Sequence, residues 1–201
     1  LTDKDCILKH LGFQKDQKIF PVGSVRLDYE NKKSNLNKNL KKNNKPTILF
    51  IMGLLYDRNS FYFGRNREKC VTSIWEFHHD IFLLLKKYQN KYNIIFKDYS
   101  NIGYKNLWKK ILRNINADKI LYVSNEHKVN DLLRISDLNI LPWIKTTFWE
   151  ALYFDADIFV IEEDIFEKPF KEELKDEIFY FKNNQKFLLE LSKYLEVGNF
   201  Y

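Results

Sequence analysis

The stretch Pro46-Thr47-Ile48-Leu49-Phe50-Ile51-Met52-Gly53 decides the fold class. It is a short, uninterrupted apolar run, opened by Pro and closed by Gly. A run of this length is too short for a helix to bury itself, and its side chains are apolar on both faces. It therefore reads as a strand covered on two sides, the kind found in parallel sheets.

The segments downstream repeat the theme. Residues 54 to 70, rich in Tyr, Arg and Asn, read as a loop. From Thr72 to Gln89 the apolar positions Ile74, Phe77, Ile81, Leu85 and Tyr88 recur at helical spacing. Tyr92 to Lys97 reads as a second strand, Tyr104 to Asn114 as a short helix, and Asp118 to Val123 as a third strand. His127 to Ile135 reads as a helix with Val129, Leu132 and Leu133 inward. Leu138 to Leu141 is a fourth strand, Thr147 to Phe154 a helix, Ile158 to Ile161 a fifth strand, and Asn184 to Leu195 a final helix. Strands alternating with helices predict an α/β chain with a doubly wound, Rossmann-like parallel sheet and right-handed crossovers. Ligands of such sheets sit beyond the carboxyl ends of the strands. That directs attention to the loops after Met52, Lys97, Val123 and Leu141.

Composition sets the outer bounds. The chain has 201 residues, 45% hydrophobic and 16% aromatic, which excludes a disordered chain. Two cysteines, Cys6 and Cys70, exclude a disulfide scaffold and a four-cysteine zinc site, and fit a reducing cytosol. No apolar run approaches the about 18 residues of a membrane span. The first residue is Leu rather than an initiator, so a truncation is expected. Residues 1–45 read as a leading segment plus polar linker, 46–182 as the Rossmann-like domain, and 183–201 as a C-terminal helix. The linker is the low-complexity run Asn31 to Lys45.

Charge is distributed unevenly. Residues 1–150 carry 27 basic and 15 acidic side chains, whereas residues 151–201 carry 6 and 12. A basic body attracts phosphates, nucleic acid or anionic lipid heads, and equally describes a lysine-rich solvated surface. Only six of the cations are Arg, and the basic linker lacks interleaved aromatics, so no specific nucleic-acid partner is expected.

The most informative chemistry follows the fourth strand, in Leu141-Pro142-Trp143-Ile144-Lys145-Thr146-Thr147-Phe148-Trp149-Glu150-Ala151-Leu152. A strand end, two threonines and a helix start supply hydroxyl and backbone donors for an anion such as a diphosphate. Glu150, one turn in, is able to accept hydrogen bonds from ribose hydroxyls. The same spacing, Thr147-x-x-Glu150, also suits a capping box that needs no ligand.

This segment resembles the donor-nucleotide motif of GT-B glycosyltransferases, particularly bacterial surface-polysaccharide and CDP-glycerol-type transferases. Asp137, Thr146, Thr147, Glu150, Ala151 and Leu152 stand in the matching places. The segment Val22-Gly23-Ser24-Val25-Arg26-Leu27-Asp28 is similar to the stretch leading from acceptor half to donor half, with Val25 in place of the usual Pro. Lys97 matches a basic residue that ends a strand in many relatives; the following His and Pro are absent here.

The resemblance implies a GT-B C-terminal domain that needs no bound cofactor or metal, with 46–182 as the nucleotide-donor domain and 1–45 as the inter-domain segment and linker before it. A nucleotide-sugar or CDP-polyol donor would meet Thr146, Thr147, Glu150, Lys97, Gly23 and Arg26. The acceptor would be a glycan or a lipid-linked molecule, and the general base would lie outside this chain. The expected setting is cytoplasmic, at the inner face of the membrane where association is peripheral.

Other constellations carry less. His78 and His79, adjacent on a helix, point about 100° apart and chelate poorly. Cys70 lies near Arg65, Arg67 and Lys69 without a His–Asn set to make it a nucleophile. The loop from Tyr56 to Arg67 holds three Arg among aromatics and reads either as a cover over a nucleotide or as solvated surface. Asp155-Ala156-Asp157 and Glu162-Glu163-Asp164 read as turns, and Trp75, Trp108, Trp143 and Trp149 as core or interface packing. A nucleotide-sugar epimerase of the same architecture and a non-catalytic α/β interaction module remain open beside the transferase.

Overall fold

In a computed structural model, the residues described are 40, 44–52, 71–98, 105–124, 126–141, 146–154, 156–161, 178–181 and 183–198. All belong to the unit Leu36–Tyr201. Strands β1 (Thr47–Ile51), β2 (Asn93–Lys97), β3 (Leu121–Val123), β4 (Leu138–Leu141), β5 (Asp157–Ile161) and β6 (Ile178–Phe181) form one sheet in the order β3-β2-β1-β4-β5-β6. Every pairing is parallel. The helices are α1 (Val71–Tyr88), α2 (Lys105–Asn114), α3 (Val129–Leu133), α4 (Thr146–Ala151) and α5 (Asn184–Val197).

The two faces separate cleanly because strand side chains alternate. Ile48, Phe50, Ile94, Phe96, Phe159 and Ile161 face α1, α2 and α5. Leu49, Ile51, Ile95, Leu141, Ile158 and Val160 face α3 and α4. So the helices that follow β1 and β2 cover one face, and those that follow β3 and β4 cover the other. This is the doubly wound arrangement, and the winding reverses between β1 and β4.

The first face is aromatic. Phe82 meets Phe96 edge-on at 4.7 Å between centroids, and Phe96 meets Trp108 at 5.2 Å. Such pairs add about 0.5–1.5 kcal/mol each beyond the area they bury. Phe77, Ile81 and Leu85 of α1 are all buried, as their spacing predicts. Lys86 and Lys87 in its last turn complement the helix dipole.

Helix ends are finished by specific groups. Asn183 accepts from the Lys186 N–H at 2.8 Å to open α5. At the far end Gly198 adopts φ 75°, a left-handed conformation that closes the helix. The Tyr92 hydroxyl donates to the Leu195 carbonyl at 2.6 Å, and Lys91 donates to Leu195 and Glu196. The end of α2 is a Schellman turn: Asn116 has φ 53°, its N–H reaches Arg113 O, and the Ala117 N–H reaches Leu112 O.

The sixth strand is an addition to the sequence reading. Ile178-Phe179-Tyr180-Phe181 is a four-residue run that neither Gly nor Pro marks off, and its strand state comes from pairing with β5. Of the two alternatives for Trp149, core is excluded: it is 42% exposed, because its neighbours Phe148 and Glu150 take the inward positions of a short helix. Trp108 is buried, with Trp75 stacked on it. Among the described residues no helix is long and apolar enough to cross a membrane.

Candidate functional site

The winding reverses between β1 and β4, and an open α/β sheet takes its ligand beyond the carboxyl ends of the strands at such a point. Two groups flagged in the sequence stand beside it. Lys97 closes β2 and is in register with Ile51, the last residue of β1. Two residues after Ile95, it belongs to the sheet face covered by α3 and α4. Helix α4 follows β4 and packs on that same face through Phe148 and Ala151. Lys97 and the helix that carries Thr147 and Glu150 therefore share one face, on opposite sides of the reversal point.

The helix begins at Thr146, which puts Thr147 and Glu150 at its second and fifth positions. Glu150 is buried, at 6% exposed, and Thr147 is half-buried. Thr146 begins the helix; its side chain, like the whole of Gly23 and Arg26, lies outside the described residues. So do the arginine-rich loop after β1, Cys70 and the acidic turn after β5.

Lys97 is only 5% exposed. Its ammonium donates to the backbone oxygens of Asp98 at 3.0 Å and Ser124 at 2.7 Å. Burial depresses its pKa below the ordinary lysine value, against the opposing pull of the Asp98 and Glu126 carboxylates. Asp98 is itself buried and accepts from the Tyr122 hydroxyl at 3.0 Å. Burial first, and this bond second, push the Tyr122 pKa up. The Ser124 hydroxyl donates to Glu126 at 2.7 Å. The carboxyl ends of β2 and β3 are thus tied by a polar cluster of which the sequence reading held only Lys97. A charged pair, Lys97-Asp98, directly at the end of an apolar strand was the available signal.

Asp137 occupies its motif position for a structural reason. Its carboxylate accepts from the Thr47 N–H at 2.7 Å, and its own N–H donates to Thr47 O at 2.8 Å, fastening the start of β4 to that of β1. Asp157 opens β5 and accepts from the Tyr194 hydroxyl. His78 is buried between Phe50 and Phe77. Among the described residues no group of three or more His, Cys, Asp or Glu is placed to hold a metal.

Fold and site together define a class: a doubly wound α/β protein with polar groups gathered at the carboxyl end of its sheet. No protein-family model matches the chain, and no curated protein matches it.

Proposed function

We propose that this chain is the donor-nucleotide domain of a transferase that moves a sugar or polyol-phosphate from a nucleotide-activated donor, in the manner of metal-independent GT-B enzymes of surface-polysaccharide synthesis. One observation supports this reading above others: Lys97 and the Thr147–Glu150 helix stand on a single sheet face, flanking the reversal point of the winding. In this reading Thr146 and Thr147 donate to the diphosphate and Glu150 holds the ribose hydroxyls. Lys97 and Arg26 offset the negative charge that grows on the departing nucleotide, and Gly23 lets the backbone approach it. Fixed positive charge at a leaving phosphate is the largest catalytic contribution such a site offers. The acceptor, a glycan or lipid-linked molecule, and the general base belong to a part of the enzyme outside this chain.

A second reading has one observation in its favour. The Lys97 ammonium is buried and bonded to two backbone carbonyls, which suits a structural tie in a non-catalytic α/β interaction module. Thermal-shift measurements against UDP, CDP, GDP and their sugar or polyol conjugates separate the two. A nucleotide that raises the melting temperature of the parent but not of Glu150→Gln supports the transferase reading, and flat curves throughout support the module.

A further inference from the structure

The second half of α1 and the whole of α2 are basic and almost free of acids. Residues 81–117 carry eight Lys and Arg against one acid, Asp98, and that acid is buried. Asp80 and Asp118 bound the stretch on either side. A lysine-rich composition does not account for this, because residues 151–201 of the same chain carry 12 acids against 6 bases. The two helices lie side by side: Trp75 stacks on Trp108 at 5.1 Å between centroids, and Phe82 meets Trp108 at 5.7 Å. Leu83 and Leu107, the immediate neighbours of Phe82 and Trp108, turn outward and are 38% and 43% exposed. On the same two helices Lys87, Lys109, Lys110 and Arg113 are exposed. Among the described residues none of these four cations makes an ion pair. Helix dipoles account for Lys87 and Arg113, in the last turns, but not for Lys109 and Lys110. Lys109 and Arg113, four residues apart, repel along α2.

We propose that the chain docks on a bilayer rich in anionic lipid through the second half of α1 and through α2. The charge is complementary: basic side chains near such a surface meet headgroup phosphates, and the two outward leucines bury against the acyl boundary. A nucleic acid fits this face less well. Three of the four exposed cations are Lys, and among the described residues of the two helices no aromatic is exposed to stack a base. A phosphate backbone also gives leucine nothing to bury against. The proposal stands on charge and exposure and does not rest on the transferase reading, so vesicle binding and nucleotide binding succeed or fail separately.

The test is vesicle flotation of the full chain, with vesicles of pure phosphatidylcholine and of phosphatidylcholine containing about 30% phosphatidylglycerol, a fraction chosen to approach the anionic charge of a cytoplasmic leaflet. The expected result is binding to the anionic vesicles only, falling as salt is raised. Lys109→Gln/Lys110→Gln/Arg113→Gln should weaken it about 100-fold, the loss expected of three basic residues near an anionic surface. Leu83→Gln/Leu107→Gln should weaken it about ten-fold without changing the salt dependence. All five positions are exposed, and unchanged thermal melting of the variants verifies the fold. An oligouridylate serves as the comparison probe for nucleic acid. Absence of binding to the anionic vesicles, with or without binding of the oligouridylate, equal binding to both vesicle types, or undiminished binding in either variant would overturn the proposal.

Discussion

The Lys97 ammonium donates to the Ser124 carbonyl at 2.7 Å, joining the end of β2 to the turn that follows β3. A buried cation held by backbone oxygens has a pH signature. Its pKa is depressed in the folded protein below the ordinary 10.5, so the unfolded chain binds more protons in the window between the two values. Stability contributed by Lys97 therefore rises as pH climbs towards 10.5, and is lost as pH falls through the depressed value. Urea unfolding of the parent and Lys97→Met across the alkaline range should show the parent gaining relative to the variant as pH increases. A pH-independent difference would mean that the lysine keeps its ordinary pKa.

Tyr122 should produce the opposite slope. Its pKa is raised above the ordinary 10.0 by burial and by its bond to Asp98, so the folded protein holds the proton longer than the unfolded chain. The stability it contributes is fully present below pH 10.0 and is lost as pH rises through the raised value. Relative to Tyr122→Phe, the parent should lose ground as pH rises above 10.0. Comparing the two single variants separates the tyrosine effect from that of Lys97.

Gly198→Ala should destabilise the protein by about 1–2 kcal/mol, because φ 75° strains an L side chain. The added Cβ would also stand 2.9 Å from the Tyr92 hydroxyl that bonds the Leu195 carbonyl. Asn116, at φ 53°, is the matching test at α2. Asn116→Gly should be neutral within about 0.5 kcal/mol, and Asn116→Val should cost about 1–2 kcal/mol. Denaturant midpoints measure both.

Asp137→Ala should cost about 1–3 kcal/mol, the penalty for leaving the Thr47 N–H without its acceptor. Amide exchange at Thr47 should accelerate beyond the change in global stability. Exchange that merely tracks the global change would show that the bond does not hold this end of β1.

The regular part of the fold was legible because burial writes directly into sequence. Ile48 to Met52 had to be a two-sided strand, and Phe77, Ile81 and Leu85 had to share a helix face. The short strand β6 was not legible, since four apolar residues become a strand only by pairing with β5. Of the candidate residues, Thr147 and Glu150 were singled out by residue type and spacing, and Lys97 by its place in the family resemblance. Their placement on one face depends on strand order, which no local pattern encodes. Asp98 and Tyr122 escaped notice for the same reason: they are 24 residues apart and meet only when β3 is laid beside β2.

Titration calorimetry of the full chain with UDP, CDP and GDP tests most directly whether a nucleotide diphosphate binds at the carboxyl ends of β1 and β4, as proposed. The predicted result is saturable binding of one nucleotide, weakened about ten-fold or more by Thr147→Ala and by Glu150→Gln, each loss worth about 1.4 kcal/mol or more. Absence of binding by all three nucleotides, or binding that both substitutions leave unchanged, would contradict it.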